Sequence, residues 1–254
     1  MARFELTDRE WALIGPLLPD KPRGVARTDD RRVLNGIFYI LRTGSPWRDL
    51  PERYGPYTTA YNRYNRWAKA GVWLRVFEAL AAASPQSMQL IDSSIVRAHQ
   101  HAAGGKKGGP DHAIGRSRGG LTSKIHVVVD ESGLPVRLAL TAGQASDKAA
   151  ASTLLEQLPA AIVVADRGYD WQHLIDLVGQ RGGQAHIPTQ RDRKVQRSVA
   201  PEIYRKRNLV ERFFCKLKHF RRIATRYDKL ARNFLAAVAL ASARLWMRNY
   251  ESTT

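Results

Sequence analysis

The chain has 254 residues, 44% hydrophobic and 25% charged, enough for one large domain or a medium one with a small partner, and for a real apolar core. Lys and Arg number 41 against 23 Asp and Glu, a net charge of +18, which points to a polyanionic partner, nucleic acid first and a membrane surface as the rival. No run of 18 apolar residues is present to span a bilayer. A single cysteine, Cys215, excludes an internal disulfide framework and a CxxC zinc site. MARFELTDRE carries acids where a signal peptide needs an apolar core, so a reduced, intracellular setting is expected.

LTDREWALIGPLLP reads as a helix opened by Thr7 and Glu10 at capping-box spacing and stopped at Pro16 or Pro19. DDRRVLNGIFYILRTG places Val33, Ile37, Ile40 and Leu41 at helical spacing and stops at Gly44. TTAYNRYNRWAKAG is expected to be helical from a Thr cap to Gly71, and VWLRVFEALAAAS forms a further helix closed by Ser84-Pro85. Several short helices with Gly breaks and many Arg suit a helix-turn-helix-like module. Residues 1–84 are therefore expected to be a helical DNA-binding head and 85–254 a second domain. On the third helix, Asn62, Arg63, Asn65, Arg66 and Lys69 are of the types that read base edges and phosphates. An equal alternative is that Tyr61, Tyr64 and Trp67 anchor the helix and these polar groups are merely solvated.

After Pro85 the texture changes. SMQLIDSSIVRA reads as a strand that carries Asp92. His99 to Gly120 is a Gly-rich basic loop, in which Lys106, Lys107, Arg116 and Arg118 form either a phosphate clamp or a linker. SKIHVVVDESGLPVRLALTAG is a hairpin around Glu131-Ser132-Gly133. SDKAAASTLLEQLP is a helix capped by Ser146 or Asp147, and AIVVADRGYD a buried strand ending at Asp166. WQHLIDLVGQRGG is a helix ending at Gly182, and QAHIPTQ a short strand. From about Asn208 the chain is helical with a break near Asp228, and FLAAVALASARLWM is a core helix. Paired strands followed by alternating helix and strand give an α/β layer fold with a partly antiparallel sheet.

Asp92 and Asp166 each end an apolar run, where open α/β sheets bind ligands; either alone reads first as the point where the chain leaves the core. If one helix covers Tyr204 to Lys218, then Tyr204, Arg207, Glu211 and Lys218 share a face within roughly 60°, and Leu209, Phe213, Leu217 and Phe220 form the opposite stripe. Taken alone, such a polar face reads first as that of a solvated helix with internal ion pairs. Three carboxylates from separate elements can clamp divalent ions, and the neighbouring cations then meet phosphates that bare carboxylates would repel. Arg191, Arg193, Lys194 and Arg197 form a basic stretch suited to a DNA backbone. His99, His101, His112 and His126 lack compact zinc spacing; Cys215 reads as packing, and Asp130 and Asp170 as turn residues.

The spacing Tyr204-x-x-Arg207-x-x-x-Glu211-x-x-x-x-x-x-Lys218, with ADRGYD around Asp166, LIDSSIVRAH around Asp92, SRGGLTSKIH, and the head segments LTDREWALIGPLLP and GSPWRDLP, resembles the bacterial insertion-sequence DDE transposases of the insertion-sequence-five group. The resemblance covers nearly the whole chain. It implies an RNase H-like mixed sheet flanked by helices, with Asp92, Asp166 and Glu211 as catalytic metal ligands for Mg²⁺ or Mn²⁺, two ions in all. It also implies that Arg207 and Lys218 contact DNA phosphates and that Tyr204 positions the helix or the end nucleotide. Double-stranded DNA, as terminal inverted repeats and target, is the implied partner, handled by a homodimer in the bacterial cytoplasm at the nucleoid, with no membrane. One departure is Ser146 before Asp147, where the group's pattern has His. The alternatives are a structure-specific nuclease of the same fold without strand transfer, and a non-catalytic DNA-binding relic.

Overall fold

Thr7 accepts a hydrogen bond from Glu10 N at 3.0 Å while the Glu10 carboxylate accepts from Thr7 N at 2.9 Å, a reciprocal cap that opens α1 (Asp8–Ile14) as its spacing predicts. The structure is a computed structural model describing residues 4–20, 29–103 and 112–252; Lys106 and Lys107 lie outside the described residues. Helix α2 (Asp30–Thr43) is capped by the Asp29 carboxylate and ends where Gly44 turns left-handed at φ +75°. Helix α3 (Tyr57–Lys69) begins without a side-chain cap, directly after Pro56, so the expected Thr cap is not used: the fixed φ of proline sets the start instead. Gly71, also left-handed, separates α3 from α4 (Val72–Ala81).

The second compact unit, residues 83–98 and 106–216, is built on a mixed sheet. Its strands are β1 (Met88–Ala98), β2 (Gly115–Ser117), β3 (Gly120–Val129) and β4 (Pro135–Ala142), followed by α5 (Asp147–Glu156), β5 (Ile162–Val164), α6 (Gln172–Gln180) and β6 (Gln184–His186). β3 is antiparallel to β1, from Leu90↔Val129 to Arg97↔Thr122, and antiparallel to β4 and β2 on its other edge. β1 runs parallel to β5, and β5 to β6. The path β4–β3–β1–β5–β6, with β3 the reversed strand of the five, is the RNase H-like arrangement. Leu90, Ile91, Val163 and Val164 are buried, as central strands covered on both faces require.

The segment expected as one helix from Tyr204 is instead α7 (Pro201–Tyr204), a 3₁₀ turn over Arg205–Arg207, and α8 (Asn208–Lys218), a tightening common at helix starts. Its apolar side differs slightly from the expected stripe: Val210, Phe213, Phe214 and Leu217 are buried, and Leu209 is half-buried against Gly133, whose φ of +77° turns the β3–β4 hairpin.

The helical unit comprises residues 1–82, 99–105 and 217–254. The C-terminal segment, expected with the second domain, thus groups with the head. After α9 (Arg221–Ala224), the helix α10 (Ala231–Ser252) packs on α4 and α1 and buries Phe234, Val238, Leu240, Trp246 and Met247, each side chain contributing about 1.5–3 kcal/mol. Arg244 of α10 reaches the buried Glu10 carboxylate at 2.5 Å and donates to Glu5 O at 2.7 Å.

Candidate active site

The parallel pairing of β1 with β5 sets Leu90 opposite Val164. Two residues further on, each chain reaches its acid, Asp92 and Asp166, and a step of two returns to the same side of the pleat. Asp166 keeps extended backbone (φ −78°, ψ 175°), and its Oδ1 accepts from Gly168 N at 2.8 Å to open the 3₁₀ turn Arg167–Tyr169. A Cβ at Gly168 would lie 2.9 Å from that oxygen, so a larger residue there would displace the capping carboxylate.

Asp92 Oδ1 accepts from Ser93 N at 2.7 Å, and its Oδ2 accepts from Arg207 Nη1 at 3.3 Å. Arg207 Nη2 donates to Glu211, one turn further on and half exposed in the first turn of α8. Burial pushes the Asp92 carboxyl up to about 6; the charges of Asp166 and Glu211 add to the rise, while the Ser93 N–H and Arg207 oppose it. Among the described residues no three acidic, histidine or cysteine side chains form a ready-made metal cluster; Arg207 is bonded to two of the three acids. The donor set nevertheless fits a hard divalent ion: the oxygens are carboxylate, and the charges of Asp166 and Glu211 raise the proton affinity of Asp92, which a cation would relieve.

The other expected site residues divide. Tyr204 is half-buried at the end of α7, and its hydroxyl influences Arg207 electrostatically. Arg116 on β2 and Arg118 in the β2–β3 turn are exposed, as are Asn62 and Arg66 on α3. Arg63 corrects the expectation of a DNA contact: it is 3% exposed, ion-paired with Asp30 and stacked over Trp67, because the packed face of α3 turns it inward. Lys218 groups with the helical unit, where it lines a cleft of about 550 Å³ with Arg42, His219 and Arg221. Cys215 is exposed, not packed, because Phe213 and Phe214 take the inner face of α8. Asp130 is the hairpin turn residue expected, accepting from Ser132 N and Leu134 N at 2.9 Å each.

Two clusters are not legible as such in the sequence. His126 is buried on β3; its Nε2 bonds Thr141 Oγ1 at 2.8 Å, and Asp147 Oδ1 lies 3.6 Å from its Nδ1 and 3.1 Å from Lys124 Nζ. Burial holds the His126 ring down at about 4, against the pull of Asp147. The i, i+2 spacing of Lys124 and His126 in SKIH carries the signal that they share a sheet face. Asp170 is fully buried and gathers Gln190 N, Arg193 and Arg197, a role beyond the turn residue expected.

Comparison with known proteins places these features in a family. Residues 83–246 match the family described as "Transposase DDE domain", and residues 6–77 the family described as "Putative transposase of IS4/5 family". The "Putative transposase for insertion sequence element IS6501" of Brucella ovis is 38% identical over 130 residues, which cover 50% of this chain and 100% of that protein. The "Uncharacterized protein y4sN" of Sinorhizobium fredii is 42% identical over 104 residues, covering 40% of this chain and 83% of the relative. Among solved structures, the piggyBac transposase synaptic complex with hairpin DNA aligns over 95% of this chain and 71% of its own, with a TM-score of 0.50. At 9% identity that likeness is one of fold.

Proposed function

The chain belongs to the DDE transposases and is a DNA transposase, and from that premise we propose that Asp92, Asp166 and Glu211 hold divalent ions, Mg²⁺ or Mn²⁺ and two in number, at the scissile phosphate of an insertion-sequence end. The observation that carries this reading is the β1–β5 register that sets Asp92 beside Asp166, together with the Arg207 guanidinium joining Asp92 to Glu211. When bound, such ions activate a water or a 3′-hydroxyl and stabilise the leaving oxygen.

The chain's own residues supply position and charge. Arg207 has donors enough to keep Glu211 and still meet a phosphate oxygen. Tyr204 supports Arg207 across the 3₁₀ turn, and Lys218 neutralises a further phosphate of the bound duplex. On the helical head, Asn62 and Arg66 are the exposed side chains of α3 that meet the terminal inverted repeat; Arg116, Arg118, Lys106 and Lys107 serve the backbone. The head is residues 1–84 with its fold completed by α10, and the catalytic domain is built on residues 85–216. Two ends are joined in one event, so the acting species is a homodimer on DNA, at the nucleoid of a bacterial cytoplasm.

The test uses duplexes taken from the DNA flanking the coding region. With Mg²⁺, the protein cuts these ends and joins a pre-nicked end bearing a free 3′-hydroxyl to target DNA. Cutting without joining would make it a nuclease of the same fold, and end binding without cutting, with or without metal, would make it a catalytically inert relic.

A further inference from the structure

A basic loop closes on a single buried carboxylate four residues beyond Asp166. Asp170 Oδ2 accepts from Gln190 N at 2.8 Å, and Arg197, at the far end of the loop, donates to Oδ1. Arg193 Nε stands 3.2 Å from Oδ2. Arg197 N donates to Thr189 Oγ1 at 2.8 Å, and the Gln196 amide donates across the loop to Gln190 O at 3.1 Å and Arg193 O at 2.7 Å. Both ends and the middle of Gln190–Arg197 are thereby pinned to the turn that follows Asp166.

That anchoring uses the guanidiniums of Arg193 and Arg197 and leaves the loop's other cations outward. Arg191 and Lys194 are exposed and, among the described residues, neither is ion-paired; Asp192 is the loop's one acid. Beside Lys194 at the outer end, Val195 is 79% exposed. Folding gives no reason to hold like charges and an aliphatic side chain in water on a rigid loop. A polyanion that alternates phosphate with apolar sugar and base faces does give one, and a loop fixed in advance avoids the ordering cost of binding.

We propose that Gln190–Arg197 is a preformed DNA-contacting loop, positioned by Asp170 relative to the Asp166 turn, in which Arg191 and Lys194 meet backbone phosphates and Val195 contacts a sugar or base face. The inference rests on the transposase reading, so the experiment separates the two. Binding of a fluorescent flanking-end duplex is followed by anisotropy across a salt titration, alongside strand cleavage. In wild type, log Kd rises linearly with log salt. Each phosphate contact contributes about 0.9 to that slope, so Arg191→Ala/Lys194→Ala, on exposed positions that leave the fold intact, lowers it by about 1–2. Val195→Ser weakens binding about fivefold with the slope unchanged, because no charge is lost. Asp170→Asn lowers the slope as the double variant does, raises the KM for cleavage with kcat held, and opens the bonds after Arg191, Arg193 and Lys194 to trypsin at a temperature well below its own thermal midpoint, which falls because a buried carboxylate shared by two guanidiniums is lost. A double variant with the wild-type slope, or Asp170→Asn with both slope and tryptic resistance intact, overturns the proposal alone. Wild-type protein that binds no flanking duplex overturns the transposase reading along with it.

Discussion

Arg207 joins Asp92 to Glu211: Nη1 reaches Asp92 Oδ2 at 3.3 Å and Nη2 bonds Glu211, so one guanidinium ties a carboxylate on a central strand to one on a late helix. With Asp166 close enough to raise the proton affinity of Asp92, the three acids form one electrostatic unit.

Asp92→Asn, Asp166→Asn and Glu211→Gln should each lower strand cleavage about a thousandfold or more, the scale on which a preorganised charge stabiliser of the transition state is lost. Binding of flanking-end DNA, measured by anisotropy, should stay within a few-fold of wild type. A variant that still cleaves at near the wild-type rate takes its residue out of the site.

Arg207→Ala should lower cleavage about a hundredfold, and Arg207→Lys should not restore it, since an ammonium cannot bridge two carboxylates in the fork geometry of Arg207. Single-turnover cleavage of both variants gives the comparison; full activity of the lysine variant would show that the bridge is dispensable.

Asp92 carries a pH signature. Its folded value of about 6 lies above the ordinary 3.8, so folding favours the protonated carboxyl. The stability this adds is fully present below about pH 4 and is lost as pH rises through 6. Metal-free Asp92→Asn should therefore match wild type near pH 4 and exceed it by about 2–3 kcal/mol at pH 8, read from denaturant midpoints. Mg²⁺ should raise the wild-type midpoint at pH 8 and leave that of the variant nearly unmoved.

His126 works in the other direction. Its folded value near 4 lies below the ordinary 6.5, so the unfolded chain takes up a proton first and stability falls as pH drops from about 6.5 towards 4, by about 3 kcal/mol in all. His126→Gln, which can still bond Thr141, should flatten that acid limb in urea titrations at pH 7, 6 and 5. An unchanged limb would assign it to other groups.

The buried Glu10–Arg244 pair should be costly to break singly. Glu10→Ala leaves a guanidinium in the core whose charged form burial already disfavours, and should destabilise by about 3–5 kcal/mol. Replacing both with apolar residues should recover most of that loss in chemical denaturation.

Local chemistry made much of the molecule legible. Thr7 and Glu10 announce a cap, Gly44 and Gly71 announce helix ends, and the apolar runs before Asp92 and Asp166 announce central strands, because each depends on neighbours within a few residues. Spacing put Tyr204, Arg207, Glu211 and Lys218 on one helical face, and the family resemblance gave that face a joint role. The inward turn of Arg63 onto Asp30 and Trp67, the outward Cys215, the 3₁₀ break before α8 and the grouping of residues 217–254 with the head depend on which face of each helix meets the core. So does the convergence of Asp170 with Gln190, Arg193 and Arg197. Burial and parallel register are properties of pairs of segments far apart in the chain, and no single segment encodes them: local order along the chain sets which acids and cations exist and at what intervals, and the pairing of distant strands and helices brings some of them into one field.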